Sequence, residues 1–580
     1  MGIPSLFRTI VEKYNEVHYW DANLKVDQLY LDYNCLIHHC KAKLKVTPNM
    51  TLRELEEEMI AEVIKYTSYI ITDVIKPQKL VYIAMDGPVP MGKLVRQRAR
   101  RYKKVQDDIY KKKTKAKYNI DDVLEFDGNK ITPGTPFMAK LASRIKNFAM
   151  IGSFSKHIVN KNKHFKIFVS DTQIVGEGEQ KIFDFMKNGT KKPNGEYPTS
   201  VIYGLDADLI VLSMLQDKNI RLLREPQNSS VELASYHDSP FLYLDIKLCQ
   251  DKLFKEYKLD MYDSNRVIKD FVFISFFGGN DFVEPFLHTK MRMRGLDFLL
   301  VTYEKVIKEY GQHMINEEDN VNFEVLTEFI KKISEMEEFM TKKQQLKKFS
   351  GVSKKLGQNA KSIEKYENDM SIYEHSFYKE KENPFHLYYE NVLGSIDYTE
   401  KYEIWKQQYN TYYFKNANYE EIMEEYVRCL KWTWEYYIKG KPPSWLWVYK
   451  YKNVPLSSDF YKYLVSNDEE TLNNMWKQEF EEDYPMTPIE QLLAVLPPQN
   501  AGLLPFSFHS VMRDTELGLE KSFPRKFKLD VVKGEKNIYS EPDLPPINVR
   551  LIKKMASAIP VSEPEQSRNI LRDSLFCFKV

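Results

Sequence analysis

Seven acidic residues recur through the first half of the chain, and most stand where a hydrophobic run stops. They are Asp32 in LYLDYN, Asp86 in VYIAMDG, Glu177 and Glu179 in VGEGEQK, Asp206 and Asp208 in VIYGLDADLI, and Asp281 in FFGGNDF. Ordinary surface carboxylates scatter over polar faces. These follow apolar runs and lie beside Gly or small residues, which holds them close to buried backbone. If the runs are neighbouring strands, the carboxylates converge at one sheet edge. Anions in one pocket repel each other and take up protons unless cations neutralise them. Oxygen-only clusters suit Mg²⁺ or Mn²⁺. Two such ions clamp the attacking and leaving oxygens of a phosphodiester, so the pattern reads first as a metal-dependent nuclease.

Each motif has a plainer reading. GEGE places Glu177 and Glu179 two apart, on one face if the segment is extended, but a solvated acidic turn has the same spelling. Asp208 is as well suited to capping a helix as to binding metal, and GGND also spells a turn. The seven acids gain weight only together and in this order. Just after Asp86, Lys93, Gln97, Arg100 and Arg101 recur at helical spacing and form one donor-rich face. Arginine forks match phosphate oxygens, and a terminal phosphate is the natural ligand; a solvated basic face is the plainer reading. The run KKKTKAK reads as a solvated face or a nonspecific RNA contact rather than a nuclear localisation signal. His38, six residues after Asp32, lies near the pocket mouth by sequence. Trp445 and Trp447 in PPSWLWVYKY have the chemistry to stack on bases, although a lone His is more often structural and Trp more often core.

The elements that must position these residues are also legible. Leu29 to Asp32, Val81 to Asp86, Ile167 to Ser170 and Val201 to Gly204 read as buried strands. Leu52 to Val74, Phe137 to Phe148 and Asp208 to Leu215 read as helices. Alternating strands and helices imply an α/β fold, a mostly parallel sheet with helices on both faces. Ligands of such sheets bind beyond the carboxyl ends of the strands, where Asp32, Asp86 and Asp206 fall. Residues 97–117 predict an exposed basic helix projecting from the sheet. The organisation expected is a nuclease core over 1–310, a charged helical layer or insertion over 311–425, and an aromatic- and proline-rich second region over 426–580. Net charge is only +2 across 580 residues, but that sum cancels acidic metal ligands against basic substrate ligands. None of the five cysteines forms a CxxC pair, so neither a zinc module nor a disulfide framework is suggested. A reducing compartment is expected, and no apolar run approaches the length of a membrane span.

At this point the residues match a known family. The chain resembles the Xrn 5′→3′ exoribonucleases through MGIPSLFR, LYLDYNCLIHHC, AMDGPVPMGKLVRQRARR, ITPGTPFMAKL, VGEGEQKI, IYGLDADLIVL, FFGGNDF, PPSWLWVYKYKNVP and EQLLAVLPP, in family order along almost the whole chain. The resemblance implies a PIN-like core related to flap endonucleases. Asp32, Asp86, Glu177, Glu179, Asp206, Asp208 and Asp281 would be catalytic and hold two Mg²⁺, with Mn²⁺ as a substitute. Lys93, Gln97, Arg100 and Arg101 would bind a 5′-monophosphate in a pocket too small for a cap or triphosphate. His38 would stack on the leading bases, with Trp445 its partner and Trp447 the other candidate. The segment from Gly2 to Phe7 would narrow the entrance to single strands. The substrate would be single-stranded RNA with a 5′-monophosphate, degraded processively to nucleoside 5′-monophosphates. A cytoplasmic monomer is expected, with an RNA-decay or decapping partner left open. The nucleus is the alternative compartment, and the virion if the source is viral.

The chain departs from the pattern at VEPFLH after GGNDF. It also has neither the long C-terminal extension of the cytoplasmic eukaryotic form nor the zinc-knuckle cysteines often seen in the nuclear form, which suggests a compact version. Two competing readings are a structure-specific DNA 5′-nuclease and an inactive RNA-binding scaffold. The first expects a GIGP-type helix–hairpin–helix after the last Asp, where this chain has FVEPFLHTKMRMRG. The second expects lost ligands, and all seven acids are present.

Overall fold

Five short apolar segments build the centre of the molecule in this computed structural model. The structure describes residues 6–47, 49–119, 124–151, 165–189, 191–226, 240–257, 264–291, 294–343, 398–415, 417–513, 519–530 and 541–579. The strands are β1 (His18–Tyr19), β2 (Gln28–Asp32), β3 (Leu80–Ala84), β4 (Lys166–Ser170), β5 (Ser200–Tyr203), β6 (Ile220–Arg224), β7 (Leu242–Asp245), β8 (Leu529–Asp530), β9 (Glu541–Pro542) and β10 (Phe576–Lys579). Eight form one sheet in the order β1-β7-β6-β5-β2-β3-β4-β10. The middle five, from β6 to β4, run parallel; β7, β1 and β10 are antiparallel additions at the two edges. The central register aligns Asp32 with Ala84, and Ala84 with Ser170. The strands therefore end level, and whatever follows them is gathered along one line.

Side chains alternate across the sheet as the two-residue period requires. Leu29, Leu31, Val81, Ile83, Val201 and Tyr203 face one apolar layer. There they pack on α2 (Tyr33–Lys43), α3 (Leu52–Tyr69) and α5 (Pro136–Ile151). Tyr30, Tyr82, Ala84 and Ile202 face the other layer, against α6 (Gly178–Lys187) and α7 (Asp208–Met214). The expected strands and helices are found with small shifts. The strand read as ending at Asp86 ends at Ala84, and the one read through Gly204 ends at Tyr203. The helix read through Val74 is α-helical only to Tyr69. A π-helical turn, Ile70–Ile75, completes it and closes at Lys76 with φ 53°.

A second region wraps the first. One continuous apolar cluster runs from the sheet through α9 (Ser264–Phe276), α10 (Gly295–Tyr310) and α11 (Phe323–Ser334) into α13 (Tyr419–Lys439) and α14 (Ser457–Ser466). Between them lies α12 (Tyr398–Phe414). Much of the charged layer expected over 311–425, residues 344–397, lies outside the described residues. Buried Glu337 ties this region together by accepting hydrogen bonds from Tyr402, Ser457 and Ser458. The basic stretch is the outer part of α4 (Met91–Lys117), a single helix of 27 residues and about 40 Å long at the standard rise. Its apolar base, Val89, Met91 and Leu94, packs on α16 (Pro488–Val495) in a third cluster. Among the described residues no helix is long and apolar enough to cross a membrane.

Trp434 on α13 shows how tightly the layers are joined. It is buried, lies edge-on to Phe273 and Phe276, and donates its indole N–H to the Asp319 carbonyl at 2.7 Å. Trp434→Ala leaves a large void and an unpaired carbonyl, and is expected to cost about 3–5 kcal/mol. A lowered denaturant midpoint checks this; a midpoint equal to the parent's would show that α13 docks independently of that ring.

Candidate active site

Beyond the level strand ends, each acid is held by a different local device. Asp32 ends β2 and stands at the N-cap of α2, 3.5 Å from the Cys35 N–H. Asp86 lies two residues past β3. Its Oδ2 accepts from the Asn34 amide at 2.7 Å and its Oδ1 from the Gly178 N–H at 2.8 Å. Gly178 permits this approach. A Cβ there would lie 2.9 Å from the Ala84 carbonyl and 3.3 and 3.4 Å from the Asp32 and Asp86 carboxylates. The start of α6 is thus wedged between two acids, with its positive dipole end toward them.

The GEGE segment is not extended. Glu177 is the N-cap residue of α6 and Glu179 lies in its first turn. Both are nonetheless buried, because the start of α6 presses into the cluster. Asp208 likewise is not a cap: Ala207 holds that position and Asp208 is the first residue of α7. Asp206 does not end a strand but follows β5 by three residues, and its Oδ1 lies 3.5 Å from the Asp208 N–H. Asp281 follows a turn that needs Gly279 at φ +91°. That settles the local conformation of GGNDFVEP: Asn280 accepts from the N–H groups of Phe282 and Val283, and Pro285 packs against Gly279.

One cavity of about 600 Å³ collects most of the residues singled out by sequence. Asp32, Asp86, Glu177, Glu179 and Asp206 line it, as do Lys93, Gln97, Arg100, Arg101 and His38. Asp208 and Asp281 are buried and do not line it. Lys93 lies between Glu177 and Asp281, forming an ion pair with Glu177 and reaching Asp281 Oδ2 at 2.5 Å. Arg101 is buried and donates to Gln97 at 3.0 Å and to Thr132 at 2.9 Å. Arg100 and His38 are exposed. Trp445 does not line the cavity. Its carbonyl accepts from the Met91 N–H at 2.8 Å, two residues before Lys93. Trp447 is half-buried and packs on Trp432 and Phe480 at the margin of the core. Of the N-terminal segment, Leu6 and Phe7 line the cavity, with Phe7 under Arg224 at 3.9 Å; Gly2 to Ser5 lie outside the described residues.

Burial and mutual repulsion dominate the electrostatics. Burial first, then Asp86 and Asp206, push the Asp32 carboxyl up to about 8. Burial, then Asp208, Asp206 and Glu177, hold Glu179 well above the usual range. Burial, then Asp206 and Asp281, do the same to Asp208. At Asp281 burial acts upward most strongly of any single cause, but Lys93 and the other nearby positive charges, Arg96 among them, together outweigh it and the carboxyl lies below its ordinary value. Among the described residues, no three acidic, His or Cys side chains already stand at ligand spacing around one point. The chemistry of the donor set nonetheless fits a hard divalent cation: oxygen ligands only, in mutual repulsion, with Lys93 supplying positive charge between two of them.

Several site residues escaped the sequence reading. Asn34 orients Asp86 and stands two residues after Asp32, inside the motif already singled out. Thr132 orients Arg101. Lys181, on α6, donates to the Met85 and Asp171 carbonyls and ties the Asp86 loop to that helix. Tyr436 and Tyr437, from α13, donate to Glu177 and Asp208. Only adjacency in sequence signalled Asn34; nothing short of the tertiary fold signals the tyrosines.

The raised carboxyls give a signed pH dependence. Asp32, Glu179 and Asp208 hold protons more tightly in the folded state than in the unfolded chain. Their contribution is complete below the ordinary carboxylate range and is lost as pH rises through the folded values, which for Asp32 is about 8. Metal-free protein is therefore expected to melt lower at pH ~8 than at pH ~5, and Mg²⁺ to raise the melting temperature more at the higher pH. A Mg²⁺ effect equal at both pH values, followed by scanning calorimetry, would count against mutual repulsion as the controlling force.

Comparison with known proteins identifies the family. The model described as the XRN 5′-3′ exonuclease N-terminus matches residues 1–226. The Xrn1 helical domain model matches residues 261–387 and 388–579. The 5′-3′ exoribonuclease 1 of Homo sapiens is 27% identical, over 100% of this chain and 35% of that protein. The Saccharomyces cerevisiae protein of the same name is 27% identical, over 91% of this chain and 41% of its own length. The 5′-3′ exoribonuclease 2 of Debaryomyces hansenii is 24% identical, over 99% of this chain and 72% of that protein. The chain thus spans less than half the length of these exoribonuclease 1 relatives. With the helical-domain match taking in more than half of its residues, the chain belongs to the XRN 5′-3′ exonuclease family.

Proposed function

We propose that the chain is a processive 5′→3′ exoribonuclease acting on single-stranded RNA with a 5′-monophosphate and releasing nucleoside 5′-monophosphates. The observation that carries this reading is the sharing of one cavity by five acids and the four donors Lys93, Gln97, Arg100 and Arg101. A phosphate-recognition face and a hydrolytic cluster in one pocket suit removal of the terminal nucleotide. The relatives named 5′-3′ exoribonuclease support the same assignment.

Divalent cations, Mg²⁺ or Mn²⁺, held among Asp32, Asp86, Glu177, Glu179, Asp206, Asp208 and Asp281 would supply an activated water and charge stabilisation at the leaving 3′-oxygen. The protein's own residues do the rest. Gln97 and Thr132 hold the Arg101 guanidinium in a fixed orientation, so little rotamer freedom is lost when it meets a phosphate. Arg100 and His38, exposed on the cavity wall, would receive the terminal nucleotide. Trp445 is our assignment for the second stacking ring; its backbone is docked at the base of α4, whereas the half-buried Trp447 ring packs against Trp432 and Phe480. The outer turns of α4 offer Lys111, Lys112 and Lys113 as an exposed surface for the RNA backbone. A cytoplasmic location accords with the substrate class.

Asp208→Ala is expected to reduce hydrolysis of 5′-phosphorylated RNA by at least ~1,000-fold while RNA binding persists. A time course with Mg²⁺, with and without chelator, reads both parent and variant, and cleavage at the parent's rate would remove Asp208 from the reaction. Arg101→Ala is expected to cut the preference for 5′-monophosphate over 5′-hydroxyl ends by roughly tenfold, the worth of one charged hydrogen bond. Competition between two labelled RNAs measures that ratio, and an unchanged ratio would mean the phosphate is recognised elsewhere. A DNA flap in the same competition separates this reading from that of a DNA 5′-nuclease.

A further inference from the structure

Tyr436 and Tyr437 are adjacent on α13, yet their hydroxyls end on different acids. Tyr436 donates to Glu177 Oε1 at 3.1 Å and Tyr437 donates to Asp208 Oδ1 at 3.1 Å. Successive helical residues point about 100° apart, which lets one turn of helix reach two carboxylates. Those carboxylates sit at the starts of α6 and α7, so α13 fixes two helix starts at once. Packing fixes the rings themselves. Tyr436 lies against Trp432 at 5.2 Å and against Phe282 at 5.5 Å; Tyr437 lies edge-on to Phe276 at 5.1 Å. Phe282 directly follows Asp281, so the same helix also backs a third acid.

We propose that Tyr436 and Tyr437 are positioning residues that hold Glu177 and Asp208 in the orientation needed to ligate a divalent cation. This rests on the reading of the acids as metal ligands. A buried carboxylate held by no donor can rotate. A phenol that donates to one oxygen sets the direction of the other. In Glu177 that other oxygen, Oε2, is met by Lys93. Partners of this kind behind metal ligands are worth roughly 10–100-fold in affinity. The tyrosines come from the region matched by the helical-domain model, not the N-terminal one. The second region therefore completes the ligand geometry rather than merely covering it.

Tyr426 supplies the internal comparison. It is on the same helix and equally buried, with its ring against Phe460 at 5.0 Å, but its hydroxyl meets no carboxylate among the described residues. The test measures Mn²⁺ binding without RNA, by electron paramagnetic resonance of the free ion, in the full chain and in Y436F, Y437F, Y426F and D208A. Phenylalanine keeps every ring contact. Half-saturating Mn²⁺ is expected to rise by about tenfold in Y436F and in Y437F and to stay at the parent value in Y426F. Affinity for 5′-phosphorylated RNA in chelator should be the same in all three. Parent-like Mn²⁺ binding in Y436F and Y437F, with binding lost in D208A, overturns the proposal and leaves the metal reading intact. Parent-like binding in D208A as well overturns the metal reading itself. Weakened binding in Y426F equal to that in the other two would make the effect one of packing, and also overturns the proposal.

Discussion

Seven carboxylates gathered beside one another in a largely dry place is the constraint that shapes this molecule. Two unit charges 4 Å apart interact by about 4 kcal/mol at the effective dielectric of a protein site, so a cluster of acids cannot ionise together without compensation. The structure supplies that compensation from every direction. Lys93 stands between Glu177 and Asp281, Asn34 and the Gly178 N–H hold Asp86, and the starts of α6 and α7 bring positive dipole ends to the cluster. Asp32, Glu179 and Asp208 nonetheless remain above the ordinary carboxylate range. Residual repulsion of this kind is the physical basis of cation binding: the energy spent in assembling the ligands is returned when positive charge arrives.

The sheet makes the gathering possible. Parallel strands in register end together, and right-handed crossovers send each chain segment away from the same edge. Asp32, Asp86 and Asp206 are thereby delivered to one line by three different strands. Asp281 comes from no strand of the sheet. It reaches the site because α9 belongs to the apolar cluster on one side of the sheet and is followed by a glycine turn that brings the chain to Lys93. The first and second regions therefore meet at the acids, and one apolar cluster runs through both.

Much of this was legible in the sequence. The central strands announced themselves as short apolar runs, and the acids stood out because they followed such runs rather than lying on polar faces. The basic helix was legible too, since Lys93, Gln97, Arg100 and Arg101 repeat at helical spacing on a segment with no breaker. Errors arose where tertiary packing decided the outcome. GEGE has the spacing of an extended pair, but the start of α6 is driven into the cluster by the fit of Gly178 against Ala84. Asp208 resembles a cap, but Tyr437 claims its side chain. The tyrosine contacts join residues 259 and 229 positions apart, a separation at which no local pattern carries information. Trp445 and Trp447 in PPSWLWVYKY have the chemistry to stack on bases, yet neither lines the cavity.

The geometry of the pocket depends on how firmly α4 is held, because this helix carries both Lys93 among the acids and Arg101 in the proposed phosphate site. Eight residues separate them, about 12 Å of helix axis, so the distance between the two functions is fixed by helix geometry rather than by loops. Its direction is fixed by contacts from the second region. The Val89 N–H donates to Gln491, the Met91 N–H to the Trp445 carbonyl, and Arg98 to the carbonyls of Ser522 and Pro545. A tilt of a few degrees at the base would carry the Arg101 end by about 1 Å over that length, enough to misplace a reacting phosphate. Residues more than 350 positions downstream thus set the angle at which Arg101 stands to the acids. The two regions are interwoven at the base of that helix.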